Sequence, residues 1–207
     1  QLESDLTTPI PEELYALLAR MVAGGARACV LEASSHALAL HRLVAVPFRV
    51  AVFTNLSRDH LDFHGGWEDY FAAKLRLFRQ LAGGVGVVNV DDPWGRRILA
   101  EQPGLYLTYG LGPGALVRAK SVRLGPTHSQ VCLDLAGETL NVRVPLPGLC
   151  NVYNALAAAA AARALGADGE AIAAGLARLP GVPGRFQAVE AGQPFRVWVD
   201  FAHNPAG

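Results

Sequence analysis

The sequence predicts an α/β fold: a mostly parallel central sheet flanked by helices, with a small antiparallel β subdomain. Three observations carry this. Short apolar runs at 28–31, 50–53 and 85–90 each end on polar residues, as buried strands do. Helical segments closed by Gly-Gly pairs precede the first and third of them. Between 117 and 144 the texture changes to apolar/polar alternation, the mark of strands with one wet face.

Pro11 to Val22 reads as the first helix. Pro11 suits a first turn, Glu12 and Glu13 favour the positive helix end, and Gly24-Gly25 stops it. Ala28-Cys29-Val30-Leu31 reads as a buried strand with Glu32 at its carboxyl end. Val50-Ala51-Val52-Phe53 repeats the pattern and leads to Thr54-Asn55. Trp67 to Leu81 is a helix, and Val85 to Val90 a strand ending at Asp91-Asp92. From about Leu105 to Pro147 an antiparallel flank is expected, with strands at 117–124, 131–135 and 140–144 and a turn at Ala136-Gly137-Glu138. Helices return at Asn151 to Leu165 and Asp168 to Leu179, and Phe195 to Asp200 is a last strand. In such sheets ligands sit beyond the carboxyl ends of the strands, where Glu32, Asn55 and Asp91 fall.

Composition narrows the function. The chain has 207 residues and a formal net charge of zero, which argues against a general nucleic-acid binder. Cys29, Cys132 and Cys150 are odd in number and form no CxxC, so reduced thiols in a cytoplasmic protein are expected. No stretch reaches the roughly 18 apolar residues of a membrane span. A chain without an initiator Met, ending directly after a strand, reads as a piece of a longer one.

Lys74 is the most informative residue. Trp67, Tyr70, Phe71, Phe78 and Leu81 make one helical stripe, and Lys74 lies on it. A lysine there must bury its ammonium, snorkel or be chemically changed. The chain has 16 arginines and only two lysines, Lys74 and Lys120. Keeping lysine here weakens the snorkelling reading in favour of an amine able to lose its proton, which burial promotes. The loop Asn55 to Gly65 places Asp59, His60, Asp62 and His64 within six residues, suited either to a hard cation or to simple capping. Glu32-Ala33-Ser34-Ser35-His36 offers a Ser/His pair. Neighbouring side chains do not aim at one another, however, and GxSxG is absent, so a hydrolase is disfavoured. Asn151 can cap the helix that follows it, and Asn154 either completes that helix start or meets a base edge. No GxxxxGK[ST] or helix-opening GxGxxG occurs, so the usual phosphate cradle is absent from this chain.

Seven segments in order resemble the Mur ligases of peptidoglycan synthesis, closest to the tripeptide synthetases that add the third residue. They are Leu6-Thr7-Thr8-Pro9, Glu32 to His36, Phe53 to Asp62, Tyr70 to Lys74, Asn151 to Leu156, Val182 to Arg185, and Asp200 to Pro205. The resemblance implies the central, ATP-hydrolysing domain over residues 1–207, without its phosphate-loop segment and with a hinge at 200–207 toward a third domain. It implies that Lys74 reacts with carbon dioxide to a carbamate. With Glu32 and His60 the carbamate would hold Mg2+, and Lys74 and His60 would be the catalytic pair. Thr7, Thr8, Ser34 and Arg42 match positions that hold the UDP-N-acetylmuramoyl-dipeptide. Asn154, Arg185 and Asp200 match nucleotide contacts. Leu40 stands where the family often has a substrate-touching glutamine, Ala37 where it has glycine, and Asn204 where it has threonine.

The implied reaction is ATP-dependent amide formation through an acyl phosphate, with lysine, ornithine or diaminopimelate as the incoming amino acid. The protein is expected to be a cytoplasmic monomer, and the 207 residues alone are expected to be inactive. Two other readings stand beside it: another Mur or folylpolyglutamate-type ligase, and a module that only binds the UDP-sugar peptide.

Overall fold

The computed structural model of the chain describes residues 6–202. The segment His203-Asn204-Pro205, and with it most of the expected hinge, lies outside the described residues. The chain divides into two compact units: one of residues 1–48 and 60–82, the other of 49–59 and 83–207.

The first unit is helical. α1 (Pro11–Ala23) begins on Pro11, has Glu12 and Glu13 in its first turn and buries Leu14. α2 (Ser35–Ala39) is capped by Ser34, whose Oγ accepts from the Ala37 N–H at 3.2 Å. α3 (Leu61–His64) is a single turn between two left-handed residues, His60 (φ 53°) and Gly65 (φ 76°). α4 (Trp67–Arg79) packs on α2 and α3 through Tyr70, Phe71, Leu75 and Phe78. Its Arg76 donates to the last carbonyls of α2, Leu38 at 3.2 Å and Ala39 at 2.8 Å, closing that helix end.

The strand expected at 28–31 does not form. These residues are irregular, and Val30 is 100% exposed. A strand exists only through ladder partners. Among the described residues none pairs with this run, so its apolar character alone does not order it.

The second unit carries the sheet. Its strands are β1 (Val50–Phe53), β2 (Val85–Asn89), β3 (Leu105–Gly110), β4 (Val117–Leu124), β5 (Ser129–Leu135) and β6 (Glu138–Val144), in that spatial order. β1 to β4 pair in parallel; β4, β5 and β6 pair antiparallel. The α/β class with a mostly parallel sheet is therefore as expected. Two details differ. Leu105–Gly110 joins the parallel part rather than the antiparallel flank, and β4–β6 continue the same sheet. The β5–β6 turn is Ala136-Gly137, both at positive φ (54° and 102°), the twist that suits a two-residue hairpin.

Three helices accompany the sheet. α5 (Pro93–Glu101) was not anticipated, although Asp92 followed by Pro93 is a helix-start signal; Asp92 Oδ1 caps it, accepting from Trp94 N at 2.8 Å. α6 (Leu149–Ala164) lays Val152, Leu156 and Ala160 on a core with Val87, Tyr109, Val117 and Leu133. Each fully buried Val or Leu there contributes roughly 1.5–3 kcal/mol. α7 (Gly169–Ala177) is capped by Asp168. A separate hairpin pairs β7 (Gln187–Val189) with β8 (Val197–Val199), so the expected last strand is shorter than 195–200 and has a partner at 187–189.

Candidate functional site

The first unit brings together three of the four residues matched to the substrate. Thr8 is 1% exposed. Its Oγ1 donates to the Glu32 carbonyl at 2.7 Å and accepts from Ser34 N–H at 3.0 Å, and Ser34 Oγ lies 3.1 Å away. Arg42 Nη1 donates to the Thr8 carbonyl at 3.2 Å. Thr7 precedes this knot and is exposed. The knot pins the α2 start, the irregular segment and residue 8 to one another, with Arg42 supplying a fixed positive charge beside them. Such an arrangement suits an anionic, hydrogen-bonding ligand.

The same unit gathers an aromatic and cationic cluster. His36 and His60 meet edge to face with centroids 4.8 Å apart, and His60 lies 6.3 Å from the Tyr70 ring. His60 takes its place only through a left-handed backbone, a conformation that costs a non-glycine residue of order 1 kcal/mol and persists where its surroundings impose it. Lys74 is half-buried, and its Nζ sits 5.1 Å from the Tyr70 ring centroid. The expected stripe is thus largely right: Tyr70, Phe71 and Phe78 are buried, while Trp67 is exposed.

Sequence reasoning singled out His64 and Ser35 in separate segments and missed that they pair. His64 Nε2 lies 2.9 Å from Ser35 Oγ, and both residues are buried. Desolvation pushes the His64 imidazole below its ordinary value of 6.5; His36, His60 and Lys74 push the same way, against Asp69. The pair does not revive a hydrolase, because Ser35 is 3% exposed and no substrate reaches its hydroxyl. The signal was the second histidine of the loop at 60–64, four residues from the first.

Among the described residues no three His, Cys, Asp or Glu side chains come together as a metal cage. The Glu32 side chain is exposed, and only its carbonyl is engaged by Thr8. A free ammonium at Lys74 repels a cation. A carbamate there would supply anionic oxygens of the kind a hard divalent ion takes. With Lys74 as a free ammonium the described residues offer such an ion no site; a carbamate would change the sign of the charge at that position.

In the second unit the strand ends are braced internally. Asp91 accepts from Leu111 N at 2.6 Å, Gly112 N at 3.3 Å and the Tyr153 hydroxyl at 2.9 Å. It is a brace rather than an open ligand. Burial and this bond push Tyr153 up to about 12, so it stays a donor. Asn151 does not cap α6. Gly148 holds the cap position, and Asn151 Nδ2 donates back to the Pro147 carbonyl at 2.8 Å. Asn154 is exposed on α6 and donates to Asn151 Oδ1 at 3.3 Å, leaving its amide oxygen for other donors. Arg185 and Asp200 do come together. The Arg185 guanidinium lies 4.7 Å from the Phe201 ring centroid, and its charge reaches Asp200.

Asp200 accepts from Phe186 N and Ala202 N, each at 2.8 Å. These two bonds, in that order, and then Arg185 hold its carboxyl below the ordinary 3.8. A depressed carboxylate stabilises the fold above its unfolded pKa, and that contribution is lost as pH falls through the folded value. The amide signals of Phe186 and Ala202 in an NMR titration should therefore shift at lower pH than signals reporting an ordinary aspartate. In Asp200→Asn they should show no such step.

Residues 1–162 match the family description Mur ligase middle domain. The chain belongs to the Mur ligase family. This Mur ligase domain is 46% identical over 206 residues to the UDP-N-acetylmuramoyl-L-alanyl-D-glutamate--2,6-diaminopimelate ligase of Streptomyces coelicolor, covering 98% of this chain and 41% of that protein. A solved structure of a UDP-N-acetylmuramoyl-L-alanyl-D-glutamate--2,6-diaminopimelate ligase superposes with a TM-score of 0.81 at 34% identity, over 94% of this chain and 41% of that one. MurF from Acinetobacter baumannii gives 0.72 at 29% identity, over 80% and 37%. The domain thus spans about two fifths of the length of these relatives, and its identity is higher to the ligases named for diaminopimelate than to MurF.

Proposed function

We propose that this domain works within a full-length ATP-dependent ligase that adds diaminopimelate to UDP-N-acetylmuramoyl-L-alanyl-D-glutamate. The observation that carries the reading is 46% identity, over 98% of the chain, to a ligase named for that substrate pair. The first unit carries the acceptor side. The Thr8–Ser34–Arg42 knot, with Thr7, orients the anionic UDP-sugar dipeptide. The second carries the nucleotide side, through Asn154, Arg185 and Asp200.

Lys74 is readied by carbamylation. The amine nitrogen attacks carbon dioxide, an N–C bond forms, one C=O π bond opens to a carboxylate, and a proton leaves to solvent. The carbamate, His60 and Glu32 would then hold Mg2+, which neutralises phosphate charge when bound. In the reaction itself a glutamyl carboxylate oxygen attacks the γ-phosphorus of ATP and ADP leaves. The diaminopimelate amine then attacks the acyl carbon, expels phosphate and loses a proton. The protein's share is positioning and charge placement.

The full-length ligase given ATP, the UDP-dipeptide and diaminopimelate should form ADP, phosphate and the tripeptide in equal amounts. The 207-residue chain by itself should turn over no ATP, because GxxxxGK[ST] is absent from it. Turnover by the isolated chain, or no tripeptide from the full enzyme, overturns the reading.

A further inference from the structure

His64 is the buried histidine among the described residues, at 8% exposure. Burying an imidazole is costly unless its polar atoms are used. Here Nε2 meets Ser35 Oγ at 2.9 Å, and Ser35 is 3% exposed. The ring lies nearly parallel to Tyr70, with centroids 4.9 Å apart and planes 15° apart. Tyr70 is 6% exposed. One turn later on α4, Lys74 sets its Nζ 5.1 Å from the same ring's centroid. The contacts run Ser35 to His64 to Tyr70 to Lys74, from α2 through α3 to α4.

Apolar packing alone does not explain this chain of contacts. A leucine at 64 would fill the space against Tyr70 but leave the buried Ser35 hydroxyl without its Nε2 partner. A hydrogen bond adds direction: it fixes the plane of the His64 ring. A stacked neighbour inherits that plane, which sets where the Lys74 side chain lies beside the Tyr70 ring. His36 buttresses the same group, 5.6 Å from His64 and 4.0 Å from Phe63 between ring centroids.

We propose that Ser35, His64 and Tyr70 are positioning residues for Lys74. Ser35 fixes the imidazole, the imidazole fixes the Tyr70 ring, and the ring face holds the Lys74 side chain where its amine takes up carbon dioxide. The proposal rests on the carbamylated Lys74 described above.

The test uses the full-length ligase with 13C-bicarbonate, reading the carbamate carbon by NMR and kcat against bicarbonate concentration. Wild type should show the signal. Ser35→Ala and Tyr70→Leu should each need about tenfold more bicarbonate for half occupancy, the scale of one lost buried hydrogen bond. Their kcat should climb as bicarbonate is added. A purely structural role would lower the melting temperature and leave the bicarbonate midpoint where it was. A folded Ser35→Ala protein with the wild-type midpoint overturns the proposal, whether or not Tyr70→Leu folds. No carbamate signal in wild type sinks the Lys74 reading and this one with it. A wild-type signal with unchanged variants sinks this one alone.

Discussion

Lys74→Arg in the full-length ligase should lower kcat by about 10³-fold, the scale of removing one preorganised charge-stabilising group, and added bicarbonate should restore none of it. Arginine keeps the positive charge, the long stem and the ability to sit over the Tyr70 ring, where the lysine Nζ now lies 5.1 Å from the centroid. It gives up the one property the proposed mechanism uses, an amine nucleophilic enough to bond carbon dioxide. The packing around a half-buried stem on α4 is preserved, so circular dichroism and melting should stay near wild type. Phosphate release and tripeptide formation should fall together. A variant that keeps a tenth of its activity removes Lys74 from the reaction.

The second large effect is on stability. Gly95→Ala should cost at least about 3 kcal/mol, as overpacking against backbone does at its upper end. Gly95 lies in the first turn of α5, buried against the end of β2. A Cβ added there would drive into the Asn89 carbonyl oxygen, sit 3.0 Å from that carbonyl carbon and meet Val88 Cγ1 at 3.2 Å. None of these is a flexible side-chain end free to swing away. The Asn89 side chain also ties β2 to β1, its Nδ2 donating to the Thr54 carbonyl at 2.9 Å, so a shift of its backbone spreads through the sheet. For a chain of this size the melting temperature should drop by about 10 °C. Gly175→Ala makes the contrast. A Cβ there meets nothing within 4 Å, and the helix should gain about 0.5–1 kcal/mol. A calorimetric scan of both variants in the 207-residue chain decides the matter.

Where sequence reasoning succeeded, the pattern was local. The alternation at 117–144 and the Ala136-Gly137 turn give β4, β5 and β6 because period and turn chemistry sit within a few neighbouring residues. The Tyr70–Lys74 stripe is likewise written in one helix. Where it failed, the deciding partner was distant or missing. Ala28 to Leu31 has the composition of a strand but no ladder. Leu105–Gly110 looks like its antiparallel neighbours yet pairs in parallel with β2. His64 became part of the candidate site through Ser35, 29 residues away, and no periodicity reports such a pairing. Thr8, Ser34 and Arg42 were reached by motif. Their hydrogen bonds to one another, across 26 and 34 residues, were not visible in the sequence.

β1 has a hydrogen-bonded neighbour on one side only among the described residues, and its Val52 is 37% exposed. An open edge of this kind recruits other strands. The formal net charge of the chain is zero, so near neutral pH little long-range repulsion keeps two copies apart. Edge-to-edge association in concentrated solution near pH 7, eased by moving the buffer well to either side, is therefore the expected practical trouble, which light scattering against pH would show.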